Sequence, residues 1–309
     1  MLADPTLGGG AATMVERPRE PFMRRLTSGA FVAASLVAGV GMSLSATPSS
    51  QLPFAPESAA GTTVTPAFEG WYENPDGTFN LSFGYYNRNT EEVLEIPLGP
   101  NNFIEPAQFD GGQPTHFQPR QNWGVFVVKV PADHGDTKVY WTLKIRGETF
   151  SVPGHLKTDW QIDALAGEAG SGNTPPVLRF GRAEGAGPAG VMGPPLTVSV
   201  RTPLTVTVWA RDDGKPSSRA GRPGAEDIPI TLTWFKHQGP GDVTFEPPSA
   251  ELPVSGAKMA TAATFSLPGE YLLRVRANDA SGYGSAIFAS AGHAQCCWSN
   301  GFVKVMVNP

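Results

Sequence analysis

Apolar and polar residues alternate with period two along most of this chain, and that is the pattern of a strand with one buried face. Phe79, Leu81, Phe83 and Tyr85 fall on one side, with Asn80, Ser82 and Gly84 on the other. Val139, Trp141, Leu143 and Ile145 alternate with Tyr140, Thr142, Lys144 and Arg146. The same rhythm returns at Leu204-Val206-Val208-Ala210, at Ile228-Ile230-Leu232-Trp234, at Leu273-Val275-Ala277 between Arg274 and Arg276, and at Val303-Val305-Val307. Phe68–Tyr72 and the mostly apolar run Val125–Val130 predict two further strands. Turn residues punctuate them: Asn74-Pro75-Asp76-Gly77 presets φ with its proline and tolerates positive φ at its glycine, and Arg146-Gly147-Glu148 makes a tight turn into Thr149–Val152. No helical periodicity competes, so the sequence predicts an all-β fold of two immunoglobulin-like β-sandwiches in tandem.

Between the strands the chain is loop-like. Glu92–Gln121 carries five prolines together with Phe103, Phe109 and Phe117, and Ala164–Pro195 is dominated by Gly, Ala and Pro around the apolar stretch Pro176–Phe180. These breaks place a first domain at 64–160, a linker at 161–174 and a second domain at 175–309. Residues 1–46 read as a secretion signal: Met23-Arg24-Arg25 is a positive n-region, Gly29–Leu44 an apolar run, and Ser43, Ser45 and Ala46 offer a cleavage site. Residues 47–63 follow as a Ser/Pro/Thr-rich linker. An uncleaved signal is the one route to a membrane that the sequence offers, and the general secretory route leads to a periplasmic, cell-surface or secreted location.

Composition narrows the function classes. Gly (36) and Pro (30) exceed a fifth of the 309 residues, which suits short strands and turns. A net charge of −5 with no basic stripe argues against nucleic acid. No nucleophile elbow, zinc-protease helix, P-loop or dinucleotide-binding glycine motif is present, and the five histidines are scattered, so an enzyme is not expected.

Leu204–Pro309 resembles the PKD and PKD-like immunoglobulin-type domains of bacterial exported proteins. The residues that carry the likeness are the Trp234 strand, the turn Gly239-Pro240-Gly241-Asp242, and Pro268-Gly269-Glu270-Tyr271 leading into a strand that ends Ala277-Asn278-Asp279. The resemblance implies a spacer, adhesive or accessory module. Ala280–Asn300 departs from it as an insertion containing His293 and the only cysteines, Cys296 and Cys297. Trp234 is expected in the core, and Tyr271 to pack its ring while its hydroxyl reaches a loop backbone.

The candidate chemistry is sparse. Trp71, Tyr72, Phe103, Phe109, Phe117 and Trp123 would form a ligand or partner surface if they share an exposed face. In an oxidising compartment Cys296 and Cys297 form a vicinal disulfide, bond to a partner chain, or stay as buried thiols, and with His293 they are candidate ligands for copper or zinc. Asp212-Asp213-Gly214, Asp242 and Asn278-Asp279 are possible calcium ligands that serve equally as turn caps. No cofactor is expected. The reading is an exported, non-enzymatic binding or structural protein of a bacterial envelope, with an envelope protein or polysaccharide as partner. Carbohydrate binding through the first-domain aromatics and a metal or redox site at His293–Cys297 are the alternatives.

Overall fold

The strands form where the alternation puts them, and pair into two sandwiches. A computed structural model describes residues 58–162, 172–215, 229–279 and 297–309, so the signal segment lies outside the described residues. Lobe one holds β1 (Val64–Glu73), β2 (Phe79–Asn87), β3 (Leu94–Glu95), β4 (Asn102–Glu105), β5 (His116–Phe117), β6 (Arg120–Val130), β7 (Val139–Ile145) and β8 (Glu148–Gly154). Its sheets run β1-β2-β6 and β4-β7-β8, with β3-β5 as a short pair. The hairpins close as the turn residues dictate: Gly77 (φ 79°) ends the Asn74–Gly77 turn, and Arg146-Gly147 with φ of 53° and 79° joins Ile145 to Glu148.

Lobe two follows with β9 (Val177–Phe180), β10 (Ala183–Ala186), β11 (Val191–Met192), β12 (Leu196–Ser199), β13 (Leu204–Arg211), β14 (Ile230–Gln238), β15 (Val243–Glu246), β16 (Ser249–Leu252), β17 (Ala257–Phe265), β18 (Gly269–Asn278) and β19 (Trp298–Asn308). A five-stranded sheet, β10-β9-β13-β17-β15, faces a six-stranded one made of β11-β19-β18-β14-β16 and of β12 as the sixth strand, paired in parallel with β19. The architecture is an immunoglobulin-like sandwich, and no α-helix occurs among the described residues.

Each lobe has its own core. In lobe one Trp141 meets Phe126 edge-on at 5.0 Å and Phe83 at 6.2 Å, while its indole N–H donates to Asn102 Oδ1 at 3.1 Å. Asn102 in turn donates to the carbonyls of Ile96 and Pro114, so one buried amide fastens the Glu92–Gln121 segment to the sheet. That segment is therefore structured: it holds β3, β4 and β5 and sends Ile104 and Phe117 into the core. Alternation could not reveal strands two to four residues long. In lobe two Trp234 is buried between Phe180 and Phe245, as its size requires. Tyr271 packs on Phe265 at 4.8 Å, donates its hydroxyl to Leu267 O and accepts from Gly241 N–H.

Candidate functional site

The unusual chemistry of this protein lies where the outer face of the six-stranded sheet meets lobe one, inside the single compact unit Phe54–Pro309. Period two in β18 puts Leu273, Val275 and Ala277 in the core, so Arg274 and Arg276 point the other way. Both are buried, at 2% and 7% exposure. Cross-strand pairing sets them beside Phe235 of β14, with guanidinium carbons 4.7 and 5.5 Å from its ring centre. Asn300 of β19 stands opposite Arg276 in the register. Its Oδ1 accepts from Arg274 Nη1 at 3.4 Å, and its Nδ2 donates to Gly124 O of lobe one at 2.6 Å and to Pro188 O at 2.8 Å.

Lobe one answers with two irregularities. β1 bulges between Phe68 and Gly70, and the β2–β6 register shifts between Phe83 and Tyr85. A bulge re-aims its side chain, and Glu69 is buried with Oε2 accepting from Gly124 N–H at 2.5 Å. Glycine at 84 makes room for it, since a Cβ there would stand 1.9 Å from Glu69 Oε1. Burial pushes the Glu69 carboxyl up to about 8, against the pull of the Gly124 N–H and the Arg274 charge, so it carries its proton at neutral pH. Tyr85, buried beside both arginines, has its hydroxyl pushed up to about 12 by the same desolvation.

Further along the junction the loop of lobe one reaches β14. Thr115 N–H donates to His237 O at 2.9 Å, and Gln238 Nε2 donates to Gly111 O and Gln113 O. His237 Nε2 lies 3.0 Å from Gly112 O, so that nitrogen carries the hydrogen. Burial first, then the Arg274 charge, lowers this imidazole to about 3, and the ring is neutral. Lys236 pairs with Glu95 at 2.8 Å, and His116 reaches the same carboxylate oxygen. Burial pushes Glu95 up, but the hydrogen bonds from His116 and Lys236 outweigh it and hold the carboxyl below its ordinary value. Tyr72 accepts from Ala189 N–H at 3.0 Å.

The six predicted aromatics divide between core and junction. Phe117 is buried against Tyr85 and Trp141, and Trp71 is buried with its N–H on Lys157 O at 2.7 Å. Tyr72, Phe103, Phe109 and Trp123 are half-buried. Phe103 lies under Lys144 Nζ, and Phe109 meets His134 edge-on. None of the six is fully exposed: Phe117 and Trp71 lie in the core, Tyr72 meets Ala189 of lobe two, and Phe103, Phe109 and Trp123 keep part of their surface open. His293 and Cys296 lie outside the described residues. Cys297 is buried, disulfide-bonded and packed 3.8 Å from Asn173 O. Trp298-Ser299-Asn300, read from sequence as part of an insertion, open the last strand instead.

Of the candidate calcium ligands, Asp212, Asp213 and Asp279 sit at one end of lobe two, and Asp242 lies elsewhere. Asp212 and Asp213 accept from backbone N–H groups two residues on, at Gly214 and Lys215, and Asp279 accepts from Asn173 Nδ2. Asp212 is raised to about 6 by burial, with Asp279 and Asp213 adding to the shift. Among the described residues no cluster of three or more His, Cys, Asp or Glu could hold a metal. Sequence reasoning missed Glu69, Arg274, Arg276, His237 and Asn300. The available clue was a pair of arginines in an otherwise apolar strand, next to an aromatic-rich neighbour.

No family profile and no curated protein sequence matches the chain. Among solved structures, the D00-D0 domain of Intimin is similar over 79% of this chain and 100% of its own, at 9% identity and a TM-score of 0.25. Domains 4 and 5 of the S-layer protein SbsC cover 60% of this chain and 71% of theirs, at 12% identity and 0.23. WR4, a Caenorhabditis elegans MSP family member, covers 37% and 93%, at 14% identity and 0.24. At these values the likenesses carry no argument, and the residues themselves decide the functional reading.

Proposed function

We propose that this chain is an exported, non-enzymatic binding or structural module of a bacterial envelope or extracellular space, with lobe two a PKD-like domain. The observation that carries this reading is the junction. Asn300 and His237 bond backbone carbonyls of lobe one across the seam, and Glu69, Arg274 and Arg276 are buried along it, so the two sandwiches meet through polar side chains. Buried polar groups that satisfy one another fix a geometry and offer nothing to a substrate. A pair of sandwiches joined in this way suits a protein that spaces or presents a surface.

Two measurements test this. Cells producing the full chain are fractionated and labelled intact with an antibody against it, and the purified chain is screened for turnover of esters and glycosides. Labelling of intact cells or recovery from the envelope or medium, without turnover, supports the reading. Recovery from the cytosol alone, or saturable turnover, overturns it.

A further inference from the structure

The outer face of the five-stranded sheet bears a row of side chains that the core and the junction do not use. Trp209 of β13 stands in register between Arg179 of β9 and Lys258 of β17. The Arg179 guanidinium carbon lies 4.5 Å from the indole ring centre, and that of Arg211 lies 6.0 Å away. Gly256 lets the indole lie close to the sheet, since a Cβ there would be 2.6 Å from Trp209 Cζ2. Arg211 pairs with Glu184 at 3.3 Å, with both side chains about half exposed. Lys258 is exposed, and so are Thr205 and Thr207 farther along β13.

Three cations gather around Trp209 against Glu184, while Glu246 lies on the same face beyond Thr205, so the Trp209 end is locally positive on a chain whose net charge is −5. Stacking on the indole holds Arg179 in one place, so less freedom is lost when it binds. A guanidinium is a planar fork that matches a carboxylate. Arg179 and Lys258 are two strand spacings apart, roughly 10 Å between Cα atoms, so one extended ligand can touch both. Protein interfaces place aromatic and large apolar anchors at their centre. Here the floor beside the row is Thr205, Thr207 and Ala260, which is flat and hydroxyl-bearing. That surface complements an extended, hydroxyl-rich chain with regularly placed carboxylates.

We propose that this sheet face of lobe two binds a carboxylate-bearing polysaccharide, with Arg179, Arg211 and Lys258 taking the carboxylates, Trp209 positioning the guanidinium groups, and the Arg211–Glu184 pair opening to admit the ligand. The inference rests on the binding role proposed above and supplies its ligand class.

The test passes the full chain over immobilised polygalacturonate, with dextran, poly-glutamate and phosphatidylglycerol vesicles as comparisons. Retention on polygalacturonate and not on dextran, weakened by salt, is expected. Arg179→Gln combined with Lys258→Gln is expected to lower the affinity at least tenfold with the melting temperature kept. Thr207→Glu removes no contact of the row and adds a repelling charge, so it is expected to weaken binding as well, and it serves if the double variant does not fold. The proposal is overturned by no retention, by retention that the variants leave unchanged, or by tighter binding to poly-glutamate or to vesicles. Failure on polygalacturonate by a chain still displayed on cells removes the ligand and leaves the binding role standing. A cytosolic chain removes that role whatever the column shows.

Discussion

Trp298 of the last strand lies so close to Gly124 of lobe one that a Cβ at position 124 would stand 2.3 Å from its Cζ2. Gly124 also has φ +50°, and both of its backbone groups are engaged, N–H by Glu69 and C=O by Asn300. Gly124→Ala therefore adds a methyl where none fits, in a conformation that disfavours it. The expected loss is about 2–4 kcal/mol in urea unfolding, from overpacking and left-handed strain together. Combining it with Trp298→Ala is expected to give less than the sum of the two single losses, because the clash is shared. Strict additivity would show that the two residues do not meet.

Glu69 makes a pH prediction with a definite sign. Its carboxyl titrates near 8 in the folded chain against 4.5 ordinarily, so folding takes up a proton between those values. Stability therefore falls as pH rises from 4.5 to 8 and levels off above. His237, lowered to about 3 from 6.5, acts oppositely, with stability lost as pH falls from 6.5 towards 3. Asp212, raised from 3.8 to about 6, adds to the Glu69 trend only below about 6. Between pH 6.5 and 8 the Glu69 contribution stands clear of the other two. The melting temperature is expected to drop across that window in the natural chain.

Glu69→Gln replaces a protonated acid by a neutral group of the same shape. It is expected to flatten the decline, matching the natural chain within about 1 kcal/mol near pH 4.5 and becoming the more stable of the two as pH rises towards 8. Glu69→Leu leaves the Gly124 N–H without its acceptor and is expected to be about 1–3 kcal/mol less stable than Glu69→Gln at every pH. Equal effects from both variants, measured by thermal melts from pH 5 to 8.5, would remove the protonated-acid assignment.

Tyr271→Phe isolates a second buried polar link. The hydroxyl joins Gly241 N–H to Leu267 O across two turns of lobe two. Its removal strands both partners and is expected to lower stability by about 1–3 kcal/mol. Chemical denaturation checks the size, and protection of the Gly241 amide from hydrogen exchange checks the site.

Arg274→Met tests whether the junction needs the charge. The side chain contacts Phe235 and Asn300 from a buried position, and among the described residues it pairs with no ionised carboxylate while Glu69 is protonated. A buried cation without a full counter-charge is weak support for stability. The methionine variant is expected to fold with stability within about 2 kcal/mol of the natural chain. Its altered contact with Asn300 should appear as faster exchange at the lobe boundary. Global unfolding of Arg274→Met would show the guanidinium to be indispensable.

What the sequence made legible is what depends on neighbours along the chain. Trp234 in the core, the Tyr271 hydroxyl on a loop backbone, and the turns at Asn74–Gly77 and Arg146-Gly147 each follow from a few adjacent residues. The inner faces of β2, β7, β13 and β18 follow from period two. The other face of β2 does not: Asn80 and Ser82 alternate like solvent-facing residues yet are 3% and 1% exposed, with Asn80 on Asn74 and Tyr72 and Ser82 on Glu69. Arg274 and Arg276 mislead in the same way. Burial of the arginine face is set by a partner more than a hundred residues away, which local periodicity does not encode. The Trp209 row escaped notice because Arg179, Trp209 and Lys258 become neighbours only through cross-strand register.

The last strand carries a consequence for how the protein is made. β19 supplies Val303, Val305 and Val307 to the core of lobe two, and Trp298 and Asn300 to the seam with lobe one. It is also synthesised after every other described strand. Lobe one, whose last described contacts come from Lys157 to Ile162, is therefore made long before the strand that seals its Gly124 seam. The contacts of Trp298 and Asn300 with Gly124 can form only once this strand has been made, so the seam between the lobes is the last part of the described fold to close.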